Sequence, residues 1–360
     1  MTRTTHWTRR QALLLGGAAL ALGAAGRARA DTVSDAKIES SSDMAKAAAA
    51  KKPPYKIGFS NGFSGNTWRT ECLASIRAEA ERQKDVIGDF IIVDGQGDIT
   101  KQVNDLEDLI VQQVDAILCI PNSGTAVAPV LRKATRAGIV TVPFNLPVEG
   151  TNYTAYVGTN PANKGRVLGE FLKNALGGKG KIVALGGIPG NSYTAAAWDA
   201  SKAVFGSDID VLAFKDANWE EDRAKVIMAD LIAAYSQIDG VWCDGGQVSS
   251  GAMKALLAAN RPLVPVTGDD FNGILKLYDA EKSQQPNFKI GMSSEPTWEG
   301  VVALRSAVRV LGGETIPKTQ TIGAKLITGD NYGDYVKRDL PDGVYVDTNL
   351  SDAELKKLFG

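Results

Sequence analysis

The sequence predicts an α/β protein with two similar, doubly wound parallel-sheet lobes. From Tyr55 onwards, short apolar runs alternate with amphipathic helical stretches. The runs are continuously apolar, as expected of parallel strands that helices cover on both faces. A second series of the same kind begins near Tyr153. Because one series follows the other along 360 residues, we expect two α/β lobes.

The first series contains four predicted strands and three predicted helices. In the first helix, Leu73, Ile76 and Ala80 recur on one face at helical spacing. Pro143 interrupts the fourth strand near its end. The strands are expected at residues 55–60, 90–93, 116–120 and 139–144, and the helices at 67–84, around 103–110 and at 126–137.

The second series repeats this alternation over a longer stretch. Ligands of open parallel sheets bind beyond the carboxyl ends of the strands, so the residues that follow each strand are candidate site residues. The strands are expected at 154–157, 181–185, 211–214, 241–243, 263–266 and 290–292, and the helices at 164–176, 194–204, 220–235, 249–259, 273–281 and 298–311.

Six loops after predicted strands carry polar and aromatic side chains. Together they supply amides, carboxylates, hydroxyls, a guanidinium and two indoles, at residues 61–69, 145, 216–219, 244–247, 268–270 and 293–295. This mixture suits a neutral polyhydroxylated ligand, because a hydroxyl both donates and accepts hydrogen bonds and an aromatic face packs on the C–H surface of a sugar ring. The alternative is that these residues only cap helices and form turns.

The composition argues against several classes of enzyme and ligand. His6 is the one histidine, and it lies in a segment expected to be removed, which excludes histidine-dependent nucleophiles and imidazole zinc sites. Cys72, Cys119 and Cys243 form no CxxC pair and are expected to be buried. No glycine-rich run has phosphate-loop spacing, and residues 269–273 lack the pattern of a calcium loop. We therefore expect no catalytic residue, no metal and no cofactor.

Residues 1–30 are predicted to be an export signal of the twin-arginine type. Arg9 and Arg10 precede an apolar stretch that is too short to span a bilayer, and residues 28–30 form an A-x-A cleavage site. An amphipathic N-terminal helix is the alternative, but the stretch has no polar face. Cleavage after Ala30 would leave 35 basic and 41 acidic residues, which favours neither nucleic acid nor anionic membranes as a partner. Residues 31–54, rich in Ala, Ser and Lys, are expected to form a disordered tether.

Short motifs between residues 55 and 327 are typical of one family. They are Asn66-Thr67-Trp68, Val114-Asp115-Ala116-Ile117, Ala137-Gly138-Ile139, Ile238-Asp239-Gly240-Val241 and Gly268-Asp269-Asp270. With them, the chain resembles the ribose-type periplasmic sugar-binding proteins, the solute receptors of ABC importers. The resemblance implies two lobes joined by a three-segment hinge. The N-terminal lobe would comprise 55–158 plus 295–325, and the C-terminal lobe 159–294 plus a tail, 326–360.

The resemblance also implies the positions of ligand-binding residues. Asn66 would bond ligand hydroxyls, and Trp68 and Trp219 would stack on the sugar from opposite lobes. Asn145 falls where the family usually has Asp, and Asp270 matches a ligand-binding Asp of the family.

Other positions depart from the family pattern. Arg69 replaces a second stacking aromatic, and Ala197 falls near the usual ligand-binding Arg of the second lobe. Gly245 and Ser294 replace amide side chains, and Ser294 is retained as a candidate ligand contact. We expect Arg69 to bond ligand oxygens or to brace an acidic residue such as Asp270; the alternative is that it is a solvated first-turn residue.

The function that follows is a secreted, periplasmic receptor, expected to be monomeric and not an enzyme. It would bind a sugar or polyol between the lobes and deliver it to ABC permease subunits, and the liganded form could also address a chemoreceptor. One alternative is a receptor on the same fold for a signal molecule, an amino acid or a sugar acid. A repressor effector domain would need an N-terminal helix-turn-helix, which residues 1–54 do not supply. An enzyme is the remaining alternative.

Overall fold

The computed structural model describes Val33 and residues 37–360, which form fifteen strands and ten α-helices. In chain order they are β1 (Ile38–Ser40), β2 (Met44–Ala45), β3 (Tyr55–Asn61), α1 (Thr67–Arg82), β4 (Ile87–Asp94), α2 (Ile99–Val111), β5 (Ala116–Ile120), α3 (Gly124–Arg136), β6 (Val140–Pro143), β7 (Tyr156–Gly158), α4 (Pro161–Ala175), β8 (Gly180–Gly186), α5 (Ser192–Phe205), β9 (Ile209–Asp216), α6 (Glu221–Ala234), β10 (Gly240–Cys243), α7 (Gly246–Ala258), β11 (Val266–Asp269), α8 (Asn272–Glu281), β12 (Ile290–Ser293), α9 (Glu299–Leu311), β13 (Ile316–Pro317), β14 (Thr319–Ile322), β15 (Leu326–Thr328) and α10 (Asp352–Phe359). The predicted export signal, residues 1–30, lies outside the described residues.

The N-terminal lobe is built on a parallel sheet of four strands in the order β4-β3-β5-β6. Helices α2 and α3 cover one face, where Leu106, Leu109 and Leu131 are fully buried with Ile117 of β5. Helices α1 and α9 pack on the other face. Apolar residues on both sides of each strand therefore find a helix to bury them, which explains the continuous apolar runs.

The C-terminal lobe contains a six-stranded sheet in the order β15-β12-β11-β10-β8-β9. Its strands are parallel except for β15, which runs antiparallel to β12. Helices α4 and α5 pack closely together over Trp242 of β10, which is fully buried. Gly165 makes this approach possible, because a Cβ there would overlap the Ala197 carbonyl. Ala197 is thus a buried packing residue of α5.

Both lobes place their first four strands in the same spatial order, so the predicted pair of doubly wound lobes is confirmed. The chain passes between the lobes after β7, after β12 and after β14. Near these crossings β7, β14 and β1 form a small three-stranded sheet beside β6. The hinge therefore has the three expected segments.

Residues 37–54 do not form the disordered tether predicted for 31–54. These residues pair with strands that follow α9: β1 is antiparallel to β14, and β2 to β13. Ala45 and Val33 are buried. A polar, Ala-rich composition did not reveal this, because the segment is ordered mainly by backbone hydrogen bonds to β13 and β14, which need no apolar pattern.

The predicted boundary at residue 326 assigned the whole C-terminal tail to the C-terminal lobe, but the tail contacts both lobes. Strand β15 joins the C-terminal sheet, but residues 341–359, here named the clasp, cross back to the N-terminal lobe. Leu355 of α10 is buried in a cluster that Ala74 of α1 completes. The apolar face of α10 packs on α1. The tail therefore crosses between the lobes a fourth time, in addition to the three crossings of the hinge.

Within residues 37–360, no helix has the length and apolar character needed to cross a membrane. Across the same described part of the chain, no cluster of three or more His, Cys, Asp or Glu side chains is arranged to hold a metal ion.

Candidate functional site

A cavity lies between the lobes, at the carboxyl ends of the strands. The two lobes contact each other beside it, where Gln247 Nε2 donates to Thr67 Oγ1 over 2.6 Å. A wider groove adjoins it at Leu146. The cavity is lined by Phe63, Asn66, Trp68, Arg69, Asn145 and Leu146, by Lys164, Tyr193, Trp219, Asp244 and Asp269, and by Glu295 and Tyr345.

The start of α1 forms the N-terminal wall. Asn66 is its N-cap, and its Oδ1 accepts a hydrogen bond of 3.0 Å from the backbone N–H of Arg69. This cap fixes the first turn, so that Trp68 and Arg69 both line the cavity. The Trp68 indole Nε1 donates to the Glu295 carbonyl oxygen at 2.8 Å, which ties the ring to the hinge.

Arg69 is a buried cation and not a solvated first-turn residue. The residue is 7% exposed, and one guanidinium nitrogen donates to Asn61 Oδ1 at 2.9 Å. Burial lowers its pKa to about 10, so it remains charged at neutral pH. The expected contact with Asp270 is absent among the described residues; Asn61 takes its place. Because a guanidinium has five N–H donors, most of them stay available to a ligand.

Lys164 centres a buried network of charges on the opposite side. The residue is 2% exposed, forms an ion pair with Asp269, and has its Nζ 3.3 Å from Glu295 Oε2. Its Nζ also donates to the Tyr193 hydroxyl at 3.1 Å, and that hydroxyl donates to Glu295 Oε2 at 2.6 Å. Burial by itself lowers the pKa of Lys164, but the surrounding acidic groups, Asp269 and Glu295 among them, together outweigh burial and raise the pKa well above its usual value. The ammonium therefore stays charged.

Asn145 links this network to α9. Its Nδ2 donates to Glu295 Oε1 at 3.1 Å and to Glu299 Oε2 at 3.0 Å. The backbone of Asn145 has φ 63°, a left-handed conformation that asparagine tolerates better than most residues. Burial and the nearby Glu295 raise the pKa of Glu299 well above its usual value. The amide thus stands where a third carboxylate would be repelled.

Trp219 and Asp244 form the C-terminal wall. The indole Nε1 donates to Asp244 Oδ1 at 3.1 Å, and Thr194 Oγ1 donates to Asp244 Oδ2 at 2.6 Å. Gly187 and Gly245 make room for the ring: a Cβ at 187 would overlap the indole, and one at 245 would lie 2.7 Å from its Cδ1. The indole therefore occupies the space into which a side chain at position 245 would extend.

Asp270 does not lie where the sequence placed it. Strand β11 extends to Asp269 instead of ending at Val266, so Asp269 lines the cavity. Asp270 is fully buried behind it, with Oδ1 accepting from the Glu295 backbone N–H at 2.8 Å and Oδ2 from that of Asp347 at 2.7 Å. Both oxygens are engaged by the backbone, so Asp270 fixes the hinge and the clasp.

Ser294 is also a hinge residue and does not line the cavity. Its Oγ accepts from the Lys325 backbone N–H at 2.8 Å, and its own N–H donates to the Lys325 carbonyl oxygen at 2.8 Å. These bonds join two of the three hinge segments. The neighbouring Glu295 is the residue that reaches the cavity.

The structure thus brings Asn66, Trp68, Arg69, Asn145 and Trp219 together. It adds Lys164, Tyr193 and Tyr345, which the sequence did not single out. It also adds Asp244, Asp269 and Glu295, which lie in the loops identified from the sequence but were not chosen there as ligand-binding residues. One signal for Lys164 was available, since it lies four residues before Leu168 and eight before Leu172, on the buried face of α4.

Known proteins share this architecture. The sequence profile of the periplasmic binding protein domain matches residues 57–315. The chain is 25% identical over 282 residues to the ribose import binding protein of Bacillus subtilis, covering 78% of this chain and 89% of that protein. It is 32% identical over 238 residues to the xylitol-binding protein of Mycolicibacterium smegmatis, covering 65% and 67%. A solved ABC transporter solute binding protein from Mycobacterium smegmatis, with bound glycerol, aligns at TM-score 0.70 and 26% identity, covering 79% and 98%.

These relatives are binding proteins and not enzymes, in agreement with the prediction that the chain is not an enzyme. The matched profile spans well over half of the chain and includes both lobes. The protein is a member of the periplasmic binding protein family, in its ribose-type branch.

Proposed function

We propose that the protein is a periplasmic receptor that binds a neutral sugar or polyol in the cavity between its lobes. The observation that carries the proposal is the pairing of donors and acceptors across that cavity. Arg69 supplies free N–H donors from the N-terminal lobe, and Asp269 and Asp244 supply carboxylate oxygens from the C-terminal lobe. A hydroxyl that lies between them can accept from one wall and donate to the other.

The two indoles favour a ligand with apolar C–H faces. Trp68 and Trp219 line the cavity from opposite lobes, and each has its N–H bonded to protein, to Glu295 and Asp244 respectively. The faces of the rings, and not their N–H groups, are therefore what the indoles offer to a ligand. Carbon-bound hydrogens of a sugar or polyol pack well on such faces.

The charges of the cavity argue for a neutral ligand over a sugar acid. Three carboxylates line it, those of Asp244, Asp269 and Glu295, against two cations. Of the cations, Lys164 is already paired with Asp269 and Glu295, which leaves Arg69 alone for an anion. The negative charges of these side chains repel the carboxylate of a bound acid. This disfavours the sugar-acid alternative.

The relatives support the same class of ligand. The names of two of them specify ribose and xylitol, and a third holds glycerol. All three compounds are neutral and polyhydroxylated. We propose that the chain is exported through residues 1–30, cleaved after Ala30, and delivers its ligand as a monomer to ABC permease subunits; a chemoreceptor is a further candidate partner.

A thermal-shift screen of the exported chain tests the proposal. Ribose, xylitol and glycerol are compared with the aldonic acid of ribose, each over a range of concentrations. Binding to the folded state alone should stabilise it by about 2.7 kcal/mol at a hundredfold excess over Kd. We expect at least one neutral compound to raise the melting temperature and the acid to raise it less. Stabilisation by the acid alone would contradict the neutral-ligand assignment.

A further inference from the structure

The clasp carries a tyrosine into the cavity from the far end of the chain. We propose that Tyr345 is a ligand-contacting residue, whose hydroxyl pairs with a hydroxyl of the bound sugar or polyol. The proposal rests on the proposed function and deepens it, because it makes the C-terminal tail part of the binding site.

The backbone of Tyr345 is fixed by both lobes. Its N–H donates to Glu71 Oε2 of α1 at 2.9 Å, and its chain forms an antiparallel bridge with Phe271 at the start of α8. The next N–H, of Val346, donates to the Asp270 carbonyl oxygen at 3.1 Å. Tyr345 therefore lies at the junction of the lobes, where a ligand that closes them would be held.

The side chain faces the cavity with an unused hydroxyl. Tyr345 is 3% exposed, lines the cavity, and packs edge-on against Phe271 with ring centres 5.7 Å apart. No described residue forms a hydrogen bond with its hydroxyl. Burial raises its pKa well above the usual value, so the phenol stays neutral and can both donate and accept. Because Tyr345 lines the cavity, a ligand hydroxyl bound there can pair with this group.

The rest of the clasp is anchored strongly enough to hold this side chain in place. On the C-terminal lobe, the Asn272 N–H donates to the Val344 carbonyl oxygen at 2.7 Å. On the N-terminal lobe, the Trp298 indole donates to Asp347 Oδ1 at 3.1 Å, and α10 buries Leu355 against α1. These contacts flank Tyr345 on both sides in the chain. The tyrosine is thus positioned before any ligand arrives, as a specificity-determining group should be.

Calorimetry with the Tyr345→Phe variant tests the proposal. The probe is whichever of ribose, xylitol and glycerol stabilises the parent most. The matched control is Tyr235→Phe, because the Tyr235 hydroxyl donates to the Leu212 carbonyl oxygen, outside the cavity. We expect Tyr345→Phe to weaken binding about five- to tenfold, as the loss of one buried hydrogen bond does. The control should bind like the parent, and both variants should melt within about 2 °C of it.

A second readout separates ligand contact from a general effect on the fold. The near-ultraviolet difference spectrum of the parent on ligand addition should contain a tyrosine component that Tyr345→Phe loses and Tyr235→Phe keeps. If Tyr345→Phe binds within twofold of the parent while Trp68→Ala loses affinity, the Tyr345 assignment is overturned and the cavity assignment stands. If no probe binds the parent, the proposed function and this inference both fail.

Discussion

Removal of the Lys164 ammonium should strongly destabilise the folded state. The residue is 2% exposed, and the side chains of its partners Asp269 and Glu295 are 9% and 6% exposed, so solvent can compensate none of the three charges. In Lys164→Met the aliphatic stem is kept, but two carboxylates are left without their cation. Breaking a buried ion pair in this way costs about 3–5 kcal/mol.

Urea unfolding followed by tryptophan fluorescence measures this loss. The matched control is Lys84→Met, because Lys84 pairs with Glu81 at 3.0 Å with both side chains more than two-thirds exposed. Such surface pairs contribute about 0.2–1 kcal/mol, so the control should stay close to the parent. Adding Asp269→Asn to Lys164→Met should recover at least about 1 kcal/mol, since one of the unpaired charges is then removed.

A small loss of stability in Lys164→Met would contradict a desolvated charge network. If Lys164→Met costs less than about 1 kcal/mol, the ammonium is not held in a desolvated network. If the double variant is no more stable than the single one, Asp269 does not carry an uncompensated charge in Lys164→Met.

Three other predictions follow from the structure and the sequence. Burial raises the pKa of Glu71 to about 8. The stability that this group contributes is therefore present below its unfolded pKa and is lost as pH rises through 8. The free energy of unfolding in urea should fall between pH 5 and pH 8 more in the parent than in Glu71→Gln, and equal falls would contradict this. Gly165→Ala should lower the melting temperature by several degrees, because its Cβ overlaps α5; an unchanged melting temperature would show that α4 and α5 can separate freely. Replacing Arg9 and Arg10 with Lys should leave precursor in the cytoplasm, which cell fractionation detects; normal secretion would exclude the twin-arginine route.

Periodicity and apolar runs were enough to predict the two lobes, because each strand and helix buries its own apolar face locally. They predicted less well where a strand ends in polar residues. Strand β11 was expected at 263–266 and lies at Val266–Asp269, since its last residues are polar yet pair with β12. The resemblance pointed to Asp270, whereas Asp269, the last residue of the strand, is the one that lines the cavity.

The loops of the site could be found from the sequence, but the contacts within them could not. Residues 293–295 were identified as a loop at the cleft, and Ser294 was chosen from it, although Glu295 is the residue that reaches the cavity. Which side chain after a strand points into the cavity depends on the backbone conformation there, and the residue types alone do not determine that conformation. The hinge bonds of Ser294 to Lys325 connect segments about thirty residues apart, which local patterns do not contain.

The segments at residues 37–45 and 341–359 were the hardest to predict, because both are ordered by partners remote in sequence. Strand β1 pairs with β14, and Tyr345 bonds to Glu71, 274 positions away. Neither segment has a long periodic pattern. In the sequence alone, a polar strand at a sheet edge resembles a loop. A short helix that packs on another lobe resembles an unstructured tail.

The most direct test of the account is calorimetric titration of the exported chain and of its Arg69→Ala variant with the neutral compound that stabilises the parent most. We expect saturable binding of one ligand per chain, weakened at least about tenfold in the variant because the ligand oxygens lose their bonds to a buried guanidinium. Equal affinities in parent and variant, or the absence of binding by any neutral sugar or polyol, would contradict the claim that this cavity is the receptor site.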